Sequence, residues 1–193
     1  MGRGWGLGYS MEKRELRRSL LKTRQSMPLE EWREKSDRIC THLHSLPLFT
    51  SAQTILAYFS FRQEPELSPL FTNPKHQWGF SRVRGKSLSW HSWKPGEPLQ
   101  KDKFGIFEPH PDSPTLSPKE VDLILVPAVA CDKRGYRLGY GGGFYDRMLS
   151  STEWAATPTI GIVFEFAYLP QLPIDQWDKP LQLVCTETGF NRI

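Results

Sequence analysis

Between Asp132 and Arg147 the chain reads D-K-R-G-Y-R-L-G-Y-G-G-G-F-Y-D-R, and from Gly139 to Gly143 only Tyr140 is not glycine. Glycine tolerates positive φ and, lacking a Cβ, lets backbone N–H groups come close to an anion. The apolar run V-D-L-I-L-V at Val121–Val126 precedes this loop, and a helical pattern from Gly143 to Ser150 follows it. A strand, glycine loop and helix in that order form the usual cradle for phosphate, because the helix N-terminus adds a favourable dipole. The loop is not a Walker A sequence, since no Gly-Lys-Ser/Thr closes it, and it is not the dinucleotide fingerprint. The competing reading, a flexible turn with no ligand, is weakened by the charged and aromatic residues on both flanks.

A second set of cations, Lys13, Arg14, Arg17, Arg18, Lys22 and Arg24, crowds near the N-terminus, with Leu16 and Leu20 at near-helical spacing. This predicts an amphipathic helix over 11–26 with a cationic polar face. Alone, such a face is usually just solvated; beside a phosphate loop it suits a polyanionic ligand. The excess of 25 Lys and Arg over 21 Asp and Glu is mild, which favours an anionic ligand without indicating nucleic acid. An RNA-binding module using this helix is the reading from a different class, but no stacked aromatic sheet motif supports it.

These groups must be positioned by a chain of 193 residues, long enough for one domain with a sizeable core. Residues 1–10, Gly-rich with Trp5 and Tyr9, read as a loose extension, with Met11 a candidate functional start and 11–193 a single domain. Pro28 opens a second helix whose stripe Leu29, Trp32, Ile39, Leu43 and Leu46 ends at Pro47. Strands are predicted at Thr54–Phe61, Gly79–Val83, Ser87–Trp93, Val121–Val126, Thr159–Phe164 and Leu183–Cys185, with a short helix at Leu67–Phe71. Lys94–Pro118, holding six prolines and two glycines, reads as an ordered loop. The pattern predicts an α/β fold: a single three-layer αβα domain with a mostly parallel, Rossmann-like sheet and right-handed crossovers. In such sheets ligands sit beyond the carboxyl ends of strands, which is where Arg62–Glu66 falls. Cys40, Cys131 and Cys185 are far apart with no CxxC, so neither a disulfide framework nor a zinc site is encoded and a reducing cytoplasm fits best. No apolar run approaches the ~20 residues of a membrane helix.

The string R-L-G-Y-G-G-G-F-Y-D-R at Arg137–Arg147 closely resembles the R-L-G-x-G-x-G-Y-Y-D-R signature of the 5-formyltetrahydrofolate cyclo-ligases. L-V-P-A-V-A-C-D before it, K-R-E-L-R at Lys13–Arg17 and the Phe61–Glu66 loop follow the same family order. The resemblance implies an ATP-dependent ligase that cyclises 5-formyltetrahydrofolate to 5,10-methenyltetrahydrofolate through a phosphorylated formyl intermediate, releasing ADP and phosphate. It assigns ATP to Lys13, Arg14, Arg17, Arg137, Leu138, Gly139, Tyr140, Gly141, Gly142, Gly143, Phe144 and Tyr145. It makes Arg137, Tyr145 and Asp146 catalytic, Asp146 the ligand of Mg2+, and Phe61, Glu66, Tyr140 and Phe144 the contacts of the folate. From the residues alone, Phe61 would serve equally as core at a strand end and Asp146 as a helix-start charge.

Trp90, Trp93 and Phe104 are further candidates to pack on the folate, and the histidines form no ligand pattern. One departure stands out: the family's second carboxylate lies in a P-M-D-like segment, matched here by Pro180-Leu181-Gln182, with Asp175 and Asp178 nearby to compensate. It leaves as alternative a catalytically inactive folate- or nucleotide-binding regulatory protein of the same fold. The expected partner is the small-molecule folate, with or without a polyglutamate tail; the expected state is a monomer with no nucleic-acid or membrane partner.

Overall fold

The computed structural model describes residues 5–193. Helix α1 runs Trp5–Gln25, starting earlier than the expected Met11; the first four residues of the expected extension lie outside the described residues. Helix α2 (Leu29–Ser45) follows Pro28, and Pro47, rather than merely ending it, opens a short α3 (Pro47–Ser51), its fixed φ suiting the first helical turn. The strands are β1 (Thr54–Ala57), β2 (Gln77–Arg84), β3 (Ser87–Ser92), β4 (Leu99–Lys101), β5 (Phe107–Pro109), β6 (Leu123–Pro127), β7 (Ala130–Asp132), β8 (Arg137–Leu138), β9 (Thr159–Ile162), β10 (Tyr168–Leu169), β11 (Leu183–Thr186) and β12 (Gly189–Arg192). Helix α4 (Phe144–Ser150) lies between β8 and β9.

Seven strands form the main sheet in the order β12-β11-β9-β6-β1-β2-β3. From β11 to β2 every neighbour is parallel, and antiparallel β3 and β12 close the two edges. The parallel strands β1 and β9 are buried along their whole length, and β6 is buried up to its last residue, Pro127, as strands covered on both faces must be. Their side chains alternate. Ile55, Leu123, Leu125 and Ile160 pack with Ile39 and Leu43 of α2 and Phe49 of α3. Leu56, Ile124, Val126 and Val184 pack on the other face with Met148 of α4, joined by Leu16, Leu20 and Leu21 of α1. The result is the expected three-layer α/β architecture, with α1 lying on the face that also carries the glycine loop. No helix among the described residues is long and apolar enough to cross a membrane.

Three local expectations differ. The first strand ends at Ala57, because Tyr58 leaves the ladder and its hydroxyl donates to Pro65 O at 2.9 Å. Lys94–Pro118 contains the β4–β5 hairpin, and β7, β8 and β10 make a second small sheet. These strands are two or three residues long, too short to show a period in the sequence.

Asp132 ends β7 and starts the segment that carries the glycine loop. It is fully buried, and its carboxylate accepts the N–H groups of Arg134, Tyr136 and Leu172 at 2.9, 3.0 and 2.9 Å while pairing with the Arg134 guanidinium at 2.7 Å. Asp132→Ala leaves these donors without their acceptor and is expected to lower stability by about 3–5 kcal/mol, read as a fall in the urea midpoint.

Candidate active site

A cleft of about 630 Å3 opens over the carboxyl ends of β1 and β6. One wall is the loop Arg137–Asp146; another is aromatic, with Phe59, Phe61, Phe80, Phe104 and Phe107. Phe59 and Phe80 stack at 4.1 Å, whereas Phe104 and Phe107 are exposed at the rim, where lysines cover their rings. A smaller recess of about 530 Å3 adjoins the cleft at Gly143, Asp146 and Trp177.

Gly141 and Gly143 hold φ values of 102° and 65°, a region that L side chains rarely occupy, and so turn the backbone tightly before α4. Arg17 reaches this loop from α1, its Nε donating to Gly139 O at 2.6 Å, and burial lowers its pKa. Arg137 is nearly buried and pairs with Asp146 at 2.9 Å, and its guanidinium lies 5.1 Å from the centre of the Tyr145 ring. Its buried Nε has no acceptor among the described residues; a buried donor of this kind is what a phosphate oxygen satisfies. Burial pushes the Tyr145 phenol well up, although the Arg137 charge opposes it, so Tyr145 stays protonated. Phe144 lines the cleft under the Arg147 guanidinium.

Lys13 and Arg17 line the cleft together, but Arg14 is exposed and does not. Residue 14 stands about 100° from residue 13 around the helix, and its side chain points to solvent outside the cleft wall. The Lys13 ammonium is engaged with Asp175 and Asp178 at 2.6 and 2.7 Å. Burial works against its charge, but the two carboxylates outweigh burial and raise its pKa. This ion pair draws the 175–178 segment, with exposed Trp177, onto the edge of the cleft.

The carboxylate facing the aromatic wall is Glu64, not Glu66. Arg62 and Gln63 take positive φ values of 50° and 54°, and this reversal turns Glu64 inward. Its Oε1 accepts the Tyr140 hydroxyl at 2.8 Å and its Oε2 the Phe61 N–H at 3.0 Å. Burial pushes its pKa up to about 7 against the pull of Arg24, Tyr140 and the Phe61 N–H. Glu66 lies outside the cleft wall: its N–H donates to Ser36 Oγ at 3.0 Å and its carboxylate accepts the Ser68 N–H at 2.9 Å. Phe61 lines the cleft, 6.3 Å from Tyr140 and edge-on to it.

Of the other expected residues, Phe104 lines the cleft, but Trp90 and Trp93 are buried in the core. Trp90 packs behind Tyr145, and Trp93 against Phe59, Phe71 and Phe80. Gln182 is remote from the cleft wall. Its Oε1 accepts the Thr159 N–H at 2.6 Å and hydroxyl at 2.5 Å, tying β9 to the start of β11. The Gln182 side chain is thus engaged with the sheet and not with the cleft. Among the described residues no cluster of three or more His, Cys, Asp or Glu forms a protein-only metal cage.

A glycine loop with an unpartnered buried arginine donor, facing an aromatic slot closed by a buried carboxylate, is the architecture of an α/β enzyme with a two-part cleft. The chain belongs to the 5-formyltetrahydrofolate cyclo-ligase family, whose profile matches residues 9–187. It is 31% identical over 185 residues to the 5-formyltetrahydrofolate cyclo-ligase of Mycolicibacterium smegmatis, covering 90% of this chain and 93% of that one. It is 29% identical over 192 residues to the Haemophilus influenzae cyclo-ligase, covering 89% of this chain and 96% of the relative. The solved structure of Aquifex aeolicus 5,10-methenyltetrahydrofolate synthetase superposes with a TM-score of 0.83 at 34% identity, over 93% of this chain and 92% of that one.

Proposed function

We propose that the chain closes the formyl group of 5-formyltetrahydrofolate into the methenyl bridge of 5,10-methenyltetrahydrofolate, with ATP converted to ADP and phosphate. The observation that carries this reading is Tyr140. It stands in the glycine loop, yet its hydroxyl rests on Glu64, so a phosphate site and a pterin site share one wall. The formyl oxygen adds to the γ-phosphorus as ADP leaves, and the formyl carbon becomes an iminium carbon carrying phosphate. N10 then adds to that carbon, its proton leaves, and phosphate departs.

No protein nucleophile is needed. Arg17, Arg137 and the backbone N–H groups of Gly139–Gly143 neutralise the transferring group, and the cleft aligns N10 with the activated carbon. Protonated Tyr145 donates to the same region, and ionised Glu64 accepts pterin N–H groups while Phe61 and Phe104 flank the ring. Lys13 acts by holding the 175–178 segment over the nucleotide edge. Mg2+ ordinarily takes one or two protein carboxylates plus phosphate oxygens, so Asp146 at the end of the glycine loop fits as its protein ligand, and the ion would offset phosphate charge there. We place residues 11–193 as one catalytic domain, a cytoplasmic monomer acting on the folate with or without its polyglutamate tail. The three cysteines, all buried and unpaired, are compatible with a reducing compartment.

The test is absorbance at the methenyl band on mixing the protein with 5-formyltetrahydrofolate, Mg2+ and ATP. The band is expected to grow only with ATP, and about 100-fold more slowly in Asp146→Ala. No growth while both ligands still bind would remove the enzymatic reading and favour a regulatory protein.

A further inference from the structure

One buried side chain ties the two halves of the cleft together from behind. Arg24 belongs to α1 but is only 3% exposed and is not part of the cleft wall. Its Nε donates to Arg62 O at 2.9 Å, its Nη1 to Ala128 O at 3.2 Å and its Nη2 to the Tyr140 hydroxyl. These acceptors sit on three different segments: the loop after β1, the connection from β6 to β7, and the glycine loop. The first of these contains the consecutive positive-φ residues Arg62 and Gln63, and backbone of this kind persists only where its surroundings over-determine it. Gln63 Nε2 donates to Met27 O at 3.2 Å and Trp32 Nε1 to Glu64 O at 2.9 Å, so α1, α2 and the turn between them brace this loop together.

We propose that Arg24 is a positioning residue for the cyclisation: its guanidinium clamps the Arg62-Gln63 turn and the Tyr140 hydroxyl together, so that Glu64 faces the pterin and the glycine loop closes against it. The inference rests on the cyclo-ligase reading and adds to it a residue that touches neither substrate. Three acceptors in three directions call for the planar guanidinium fork, which a lysine ammonium cannot reproduce. Arg24 also supplies the charge that Glu64 meets. The other titratable groups around that carboxylate, Tyr58, Tyr140 and Tyr145, have phenols pushed up by burial and stay neutral.

The experiment compares the full chain with Arg24→Gln and Arg24→Lys, measuring methenyl formation from 5-formyltetrahydrofolate and MgATP across pH 5–9. In Arg24→Gln the acidic limb of kcat/KM is expected to move up by about one pH unit or more, and KM for the folate to rise about tenfold. Arg24→Lys restores the charge but not the fork, so its limb returns toward the wild type's while KM stays raised. A limb and KM in Arg24→Gln equal to the wild type's would overturn the inference and leave the cyclo-ligase reading standing. A wild type that forms no methenyl product overturns that reading, and the inference with it. Should circular dichroism find Arg24→Gln unfolded, the lysine variant decides: an unchanged KM overturns the clamp, and a raised KM in a folded protein supports it.

Discussion

Glu64→Gln is expected to lower kcat/KM for 5-formyltetrahydrofolate by about 100-fold, the loss of two hydrogen bonds to a charged acceptor, and to flatten its pH dependence. Glu64 is 4% exposed, and burial holds its pKa at about 7, above the ordinary 4.5. If the ionised form accepts pterin N–H groups, as proposed, wild-type kcat/KM should rise as pH rises through about 7, while the glutamine variant has no such limb. Stability runs the opposite way. Between pH 4.5 and 7 the folded protein keeps a proton that the unfolded chain has released. The contribution is full below 4.5 and is lost as pH rises through 7, a change of roughly 3 kcal/mol. Urea unfolding at pH 5 and pH 8 checks this: the variant should lose that part of the decline. A variant with a wild-type limb in kcat/KM would assign the titration to another group.

Arg137→Ala is expected to lower kcat by about 1,000-fold, in the range found when a cation or donor aimed at developing charge is removed. KM for the folate should change much less, because Arg137 lies on the loop side of the cleft rather than in the aromatic slot. The variant also strips Asp146 of its partner at 2.9 Å, so weaker Mg2+ dependence should accompany the slower turnover. Arg137→Lys is expected to recover only part of the loss, since an ammonium restores charge without the planar donor set shared between Asp146 and a phosphate. Single-turnover and steady-state kinetics separate the two effects. A large rise in the folate KM with kcat unchanged would move Arg137 to the folate side.

Local pattern carried much of this molecule. The glycine run between an apolar strand and a helix marks a tight strand-to-helix loop, because the freedom of the backbone is a local property. The buried strands at Leu123–Pro127 and Thr159–Ile162 were legible for a similar reason: their continuous apolar character records coverage on both faces. The family signature at Arg137–Arg147 adds identity to that chemistry. Arg14 belongs to the same basic segment as Lys13 and Arg17, and only the packing of α1 leaves it exposed outside the cleft wall.

The rest depended on contacts between distant segments. Glu64 and Glu66 lie in one polar loop, and only the two positive-φ residues before Glu64 decide which carboxylate turns inward; Arg and Gln give no compositional sign of such a turn, as glycine would. Trp90 and Trp93 resemble ligand-packing aromatics in sequence but are covered by the sheet and its neighbours. Gln182 stands where the resemblance places a carboxylate, and only the fold shows that its side chain holds Thr159. Arg24 is one cation among six in a crowded helix, and what distinguishes it is a hydroxyl 116 residues away. Local sequence determines which backbone conformations and burial patterns are favourable, and so the loop and the layers. Which charge is desolvated, and against what partner, is decided when the tertiary structure brings α1, the β1 loop and the glycine loop to one place.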